Sequence, residues 1–165
     1  LVSLGIQAAL ESLMIPNVYV KWPNDIMSGD KKVCGVLIEN MFKGSSLHAS
    51  IIGIGLNVNQ EKFQNLPRAS SMFQISGTTY DLDDVLSICL DYIRQKLELL
   101  THSEEQIIML YEAFLYRNGK ISTFESNGSL FTGIIRGVNL QGLLKVQLED
   151  NQRVLFDLKT IKLKN

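Results

Sequence analysis

Hydrophobic and polar positions first settle into a strand period at Val18. Val18, Val20 and Trp22 alternate with Tyr19 and Lys21, the period-2 pattern of a half-buried strand. Pro23 has no N–H to give to a ladder and ends that regular pairing. Ser28-Gly29-Asp30 is turn chemistry, and Val33–Glu39 reads as a second strand. The chain therefore folds back as a hairpin and carries Asn24 and Asp25 close to Lys32. Upstream, Val2, Ile6, Ala9, Leu10 and Leu13 share one face of a helix, which ends near Ile15-Pro16 because proline disfavours helix in the residue before it.

Downstream, Lys43-Gly44-Ser45-Ser46 is a turn cluster and Leu47–Asn59 a long strand. Along it Ile52, Ile54, Leu56 and Val58 point one way, toward a hydrophobic layer. Gly53, Gly55 and Asn57 point the other. Residues 60–70 are polar, include Pro67 and read as a loop; Ser71–Ser76 reads as a short strand closed by Gly77. Asp81 is placed to cap a helix whose apolar stripe is Leu82, Val85, Leu86, Cys89, Ile93, Leu97 and Leu100. Ser103-Glu104-Glu105-Gln106 has the capping-box pattern and opens another helix, with Ile107, Ile108, Tyr111, Phe114 and Leu115 as its buried face. After Asn118-Gly119 the period switches to two. Ile121–Glu125, Leu130–Gly137, Leu143–Glu149 and Val154–Phe156 read as short strands punctuated by Gly128, Gly142 and Asp150-Asn151, a pattern that suggests a small SH3-like barrel. Residues 1–117 and 118–165 are thus expected to be separate domains.

Composition narrows the choices. A chain of 165 residues with 45% hydrophobic content can bury a core. A formal charge of −1 and the lack of a basic run give no nucleic-acid footprint. No apolar stretch has the length of a membrane span. Cys34 and Cys89 have no metal or redox spacing and read as small buried hydrophobes, which fits a reducing cytoplasm. His48 and His102 lack partners at ligand spacing, and no P-loop is present.

Two stretches carry candidate chemistry. In the first, a carboxylate, an amide and an ammonium (Asp25, Asn24 and Lys32) meet across a hairpin. That set suits a substrate that carries phosphate or develops negative charge, because lysine is a compact point charge that can follow an oxyanion. Lys31, Lys32 and Asp30 taken alone would equally be a solvated turn with a surface ion pair of little value. In the second, Gly53 and Gly55 leave one face of a strand as bare backbone ending in Asn57. Glycine inside a strand marks close approach of something else, either a flat ligand or a packed helix.

The residues Lys21-Trp22-Pro23-Asn24-Asp25-Ile26, followed by Lys32-Val33-Cys34-Gly35-Val36-Leu37-Ile38-Glu39, resemble the KWPND…K-x-x-G-[IV]-L-x-E signature of biotin protein ligases. Ile52-Gly53-Ile54-Gly55-Leu56-Asn57-Val58-Asn59 resembles the glycine-rich strand of the same family. The likeness runs through the helices to the C-terminal strands. It implies an α+β fold: a mixed or antiparallel sheet packed on helices, part of a class II synthetase-like catalytic domain, followed by the SH3-like barrel. It also implies two half-reactions, in which biotin and ATP give biotinyl-5′-adenylate and pyrophosphate, and a lysine of a biotin carboxyl carrier protein then takes the biotinyl group.

By this resemblance Lys32 and Asp25 are catalytic; Lys32, Gly35, Leu37, Gly53 and Gly55 bind biotin; and Lys21, Asn24 and Asn57 bind the nucleotide, with Asp25 acting through Mg²⁺. In a straight strand Lys32 faces the side opposite Gly35 and Leu37, so either the strand bends or the side chain wraps over its edge. The family has a Gly/Arg-rich loop over biotin upstream of the first helix. Here no arginine precedes Arg68, and the chain opens without Met inside a helical pattern. It therefore reads as a fragment that by itself forms little or no adenylate, with an exposed sheet through which copies can pair. The competing readings are a lipoate ligase or lipoyl transferase of related fold, and a non-enzymatic sheet module whose glycine face is an interface.

Overall fold

The computed structural model describes residues 1–164; Asn165, the last residue of the expected C-terminal domain, lies outside the described residues. Two compact units emerge. One comprises residues 1–20 and 24–97, the other residues 21–23 and 98–165.

In the first unit α1 (Val2–Ser12) is followed by β1 (Val18–Lys21), β2 (Asp25–Ser28), β3 (Lys31–Lys43) and β4 (Ser46–Leu56), then α2 (Met72–Ser76) and α3 (Leu82–Leu97). The four strands form one sheet in the order β1-β2-β3-β4. Helix α1 buries Val2, Leu4, Ile6, Ala9 and Leu10, and the core continues through Val18, Val20, Ile26, Val33 and Val36 of the sheet and Val85, Cys89 and Ile93 of α3. Gly5 permits the close approach of α1 and α3: a β-carbon there would stand 2.7 Å from the Ile93 backbone. Asp81 starts α3 as expected, its carboxylate accepting from the Asp83 and Asp84 amides.

Four features depart from the pattern-based expectation. Strand β2 begins at Asp25, only two residues after the proline, and pairs antiparallel with β3 around Gly29 at φ 57°. The segment expected as a strand at Ser71–Ser76 is α2, because the Ser71 hydroxyl accepts the Gln74 amide as an N-cap and Gly77 closes the helix at φ 74°. Ile52 and Ile54 do not enter a hydrophobic layer; they are 38% and 40% exposed on edge strand β4, while Val58 beyond it is buried. On α3 the buried stripe is only Val85, Cys89 and Ile93; Leu82, Leu86 and Leu97 are exposed, as is Leu100 in the 3₁₀ turn that follows.

The second unit holds α4 (Glu104–Ala113) and five strands: β5 (Ile121–Ser126), β6 (Ser129–Val138), β7 (Leu144–Leu148), β8 (Arg153–Phe156) and β9 (Lys162–Lys164). They form an antiparallel sheet in the order β8-β7-β6-β5-β9. Strand β9 gives little sequence signal, since it is three residues of which two are lysines. Helix α4 opens with the expected capping box between Ser103 and Gln106. No residue of α4 is fully buried, but Ile108 and Tyr111 lean on a core of Leu115, Phe124, Ile135, Val138, Leu144, Val146 and Ile161. Trp22 packs against this same core.

Candidate functional site

Register across the first sheet decides which side chains meet. Asp25 pairs with Gly35, Gly35 with Gly55, and Leu37 with Gly53. Directly opposed residues of antiparallel strands point to one face. Asp25, Gly35 and Gly55 therefore form a row across β2, β3 and β4 on a face that two of them leave bare. Gly53 and Leu37 continue that face one pair further on, and Leu37 is 61% exposed there.

Lys32 reaches this face by an irregularity in the ladder. Ile26 pairs with Cys34 but Met27 with Lys32, so Val33 is an extra residue in β3. Such a bulge shifts the side-chain alternation by one. Lys32 Nζ thus stands 2.5 Å from Asp25 Oδ1, and a β-carbon on Gly35 would sit 3.4 Å from that nitrogen. The strand bends, and this resolves the orientation that a straight strand forbids. The Lys32 and Asp25 side chains are 44% and 24% exposed, so the pair contributes at most about 1 kcal/mol to stability. Asn24 helps through its backbone, its carbonyl accepting the Val36 N–H at 2.8 Å.

The segment read as a polar loop forms the opposite wall. The Lys32 amide donates to the Arg68 carbonyl at 2.8 Å, the Ser70 amide donates to the Lys32 carbonyl at 2.9 Å, and Lys31 Nζ donates to the Pro67 carbonyl at 3.1 Å. Asn57 ties down the end of this connection, and Asn59 the end of the longer stretch that includes α2. Asn57 Nδ2 donates to the Ser70 carbonyl, and Asn59 exchanges hydrogen bonds with the Tyr80 backbone. A cavity of about 530 Å³ opens between loop and sheet, lined by Lys32, Cys34, Gly35, Gly55 and Asn57 and by Phe63, Leu66, Pro67, Arg68 and Ala69 of the loop. The loop's contribution escaped the sequence reading. Its available signal was the apolar pair Phe63 and Leu66 within a polar run, followed by the first arginine of the chain.

Of the expected site residues, Lys32, Gly35 and Gly55 line the cavity, and Asp25 holds the Lys32 ammonium. Asn57 lines the cavity but is engaged with Ser70. Gly53 and Leu37 lie further along the same face. Lys21 ends β1 and belongs to the second packing unit. For Mg²⁺, the Asp25 carboxylate is already taken by Lys32, and among the described residues no three His, Cys, Asp or Glu side chains gather as a metal cage. Mg²⁺ is usually held by one or two carboxylates together with substrate phosphates, so Asp25 would hold it only in company with a bound nucleotide.

Cys34 lies in the cavity lining yet is only 1% exposed. Burial pushes its thiol up to about 12; nearby Cys89 adds to the rise, Lys32 opposes it and Asp25 adds slightly. Cys34 therefore stays a neutral thiol at ordinary pH. The folded protein should resist N-ethylmaleimide at this position at pH 8 and react once urea unfolds it, which peptide mass mapping checks. Because the folded value is raised, the associated stability is complete below the ordinary thiol value of 9.0 and is lost as pH rises from there toward about 12.

An apolar chamber with cations at its rim and a glycine floor suits a ligand with an apolar body and an anionic end. The profile of the biotin/lipoate A/B protein ligase family matches residues 1–57. The bifunctional ligase/repressor BirA of Bacillus spizizenii is 29% identical over 143 residues, 83% of this chain and 44% of that protein. A biotin–[acetyl-CoA-carboxylase] ligase of Paracoccus denitrificans is 41% identical over 131 residues, 76% of this chain and 55% of that protein. The structure of the Aquifex aeolicus biotin protein ligase in complex with biotin and ATP superposes with a TM-score of 0.79 at 27% identity, covering 99% of this chain and 69% of that one. The chain thus spans less than half the length of the BirA protein it matches. Motif, sheet register and likeness in both sequence and structure converge: along nearly its whole length this chain is similar to biotin protein ligases.

Proposed function

We propose that this chain is part of an ATP-dependent ligase that activates biotin as biotinyl-5′-adenylate and passes it to a lysine of a biotin carboxyl carrier protein. The observation that carries the reading is Lys32: its ammonium, held by Asp25, stands over the bare backbone of Gly35 at the mouth of the cavity. In the first step a biotin carboxylate oxygen attacks the α-phosphorus of ATP, and the bond from that phosphorus to the bridging oxygen breaks to release pyrophosphate. Negative charge builds on the phosphoryl oxygens, where a fixed cation is most effective. In the second step the acceptor lysine attacks the acyl carbon and AMP leaves. A flat ring system lies against Gly35 and Gly55, with Gly53 and Leu37 extending the same surface for biotin. Asn24, Asn57 and Lys21 are assigned to the nucleotide.

Among the described residues no helix is long and apolar enough to cross a membrane. A cytoplasmic location and, through the open edge of β4, pairing of two copies complete the proposal; sedimentation velocity tests the pairing. The decisive assay supplies the native protein containing this chain with ATP and either biotin or lipoate and measures pyrophosphate and acyl-adenylate. Biotinyl-adenylate formation with no response to lipoate is expected. Lipoyl-adenylate instead would move the assignment within the family, and the absence of both would leave a non-catalytic sheet module.

A further inference from the structure

Strand β4 stops before it reaches Lys32. Its last pair with β3 is Leu56 with Cys34, and the Asn57 amide still donates to the Val33 carbonyl at 2.8 Å. Beyond that point the end of the Gln60–Ser70 segment becomes the neighbour of β3. Lys32 forms a parallel bridge with Ala69, its amide donating to the Arg68 carbonyl and its carbonyl accepting the Ser70 amide. The backbone that carries the Lys32 ammonium is thus set by Met27 of β2 on one side and by this segment on the other. All of these residues belong to the first unit.

Asn57 stands at the junction where β4 gives way to the segment. Its carbonyl accepts the Met72 amide at 3.0 Å, which fixes the start of α2. Its side chain acts on a different residue: Nδ2 donates to the Ser70 carbonyl at 3.0 Å. Ser70 is 6% exposed. A buried carbonyl left without its donor is costly, so Ser70 deprived of Asn57 has to shift to find another. The Ser70 amide shifts with it, and that amide holds the Lys32 carbonyl. Asn59 offers a comparison. It too grips backbone with its side chain, donating to the Tyr80 carbonyl at 2.8 Å and accepting the Tyr80 amide at 3.0 Å. It ties the stretch that follows α2, however, and not the segment bonded to Lys32.

We infer that Asn57 is a positioning residue for adenylate formation: its side-chain amide, through Ser70, fixes the backbone of Lys32 and hence the place of the ammonium. The inference rests on the function proposed above and adds to the assignment of Asn57 to the nucleotide.

The test is Asn57→Ala in the native protein containing this chain, with Asn59→Ala as the matched control. Asn57→Ala should lower the maximal rate of biotinyl-adenylate formation about tenfold, since misplacement by about 1 Å can cost a hundredfold. The ATP concentration for half-maximal rate should stay within about twofold, because the loss falls on a group that acts in the transition state. In a Lys32→Ala background the same substitution should add almost nothing, because it acts through Lys32. Asn59→Ala should lower the melting temperature and leave the rate within about twofold, its site being remote from Lys32. Hydrogen exchange supplies a readout that does not need activity. The Lys32 amide should exchange faster in Asn57→Ala and at the original rate in Asn59→Ala, while the Val36 amide keeps its protection in both. Should Asn57→Ala fail to fold, Asn57→Asp takes its place, since it keeps the volume and removes the donor.

A merely structural Asn57 predicts a lower melting temperature with an unchanged rate, or the same fold-loss with and without Lys32. A direct nucleotide contact alone predicts a raised ATP requirement at an unchanged maximal rate. Any of these results overturns the inference. If the unsubstituted protein makes no adenylate, the proposed function has failed on its own. The exchange measurement then decides: unchanged protection of the Lys32 amide in Asn57→Ala refutes the coupling, and faster exchange upholds it.

Discussion

Lys32→Ala is expected to reduce biotinyl-adenylate formation by about two orders of magnitude or more, the scale of removing one preorganised group from a charged transition state. The fold should survive. The Lys32–Asp25 pair is partly exposed on both sides, and such pairs add about 1 kcal/mol or less. The backbone bonds that fix Lys32 to the Arg68–Ser70 segment do not involve its side chain. Loss of rate with little change in melting temperature is therefore the signature to look for. Pyrophosphate release under single-turnover conditions, alongside a thermal melt, measures both. Asp25→Asn should fall between Lys32→Ala and the unsubstituted protein, because it keeps the side-chain volume and loses the charge that holds the ammonium. A Lys32→Ala protein that releases pyrophosphate at the original rate would take Lys32 out of the mechanism.

The second large effect is expected at Gly55. It lines the cavity, pairs with Gly35, and a β-carbon built there meets nothing nearer than the Gly35 carbonyl at 3.9 Å. The protein itself leaves room for a side chain at that point, so close packing is not what requires glycine. Valine suits an extended strand, and Gly55→Val should fold normally. Its branched side chain would occupy the space above the floor, and biotin affinity should drop by about two orders of magnitude or more, since a pocket cannot hold ligand and side chain in one volume. Gly53→Val, one pair further along the face and also uncrowded, is expected to weaken biotin as well. Ile54→Val, pointing to the other face and 40% exposed, should cost less than the roughly 1 kcal/mol of a buried Ile→Val and leave biotin binding alone. Isothermal titration with biotin compares the three. Equal affinity in Gly55→Val and Ile54→Val would mean that the glycine floor is not a ligand surface.

Much of this was legible in the chain itself, for local reasons. The α1 stripe, the Asp81 and Ser103 caps, the Ser28–Asp30 turn and the strand succession after Gly119 each depend on residues within a few positions of one another. The alternation Gly53-Ile54-Gly55 likewise announces a bare face, since strand parity is a local rule. Even the nearness of Asp25 to Lys32 along the hairpin, though not the face that Lys32 takes, followed from the turn between them.

Tertiary structure decided what depends on register and on distant partners. The extra residue at Val33 turns Lys32 onto the glycine face, and a bulge is set by how two strands pair, not by the composition of either. Ser71–Ser76 has apolar residues at Met72, Phe73 and Ile75 that suit either period; the Ser71 cap and its place beside the Gln60–Ser70 segment make it a helix. The same segment looks like solvent-exposed loop until Asn57, Lys31 and the Lys32 backbone draw it over the cavity. Trp22 and Gly142 stand 120 positions apart, and only the folded chain shows that an indole in the first motif is fastened to a carbonyl in the second unit. Sequence thus specified the chemical groups and the local elements that carry them. The pairing of strands and the closure of long loops, whose free energies are summed over residues far apart in the chain, decided which of those groups share a site.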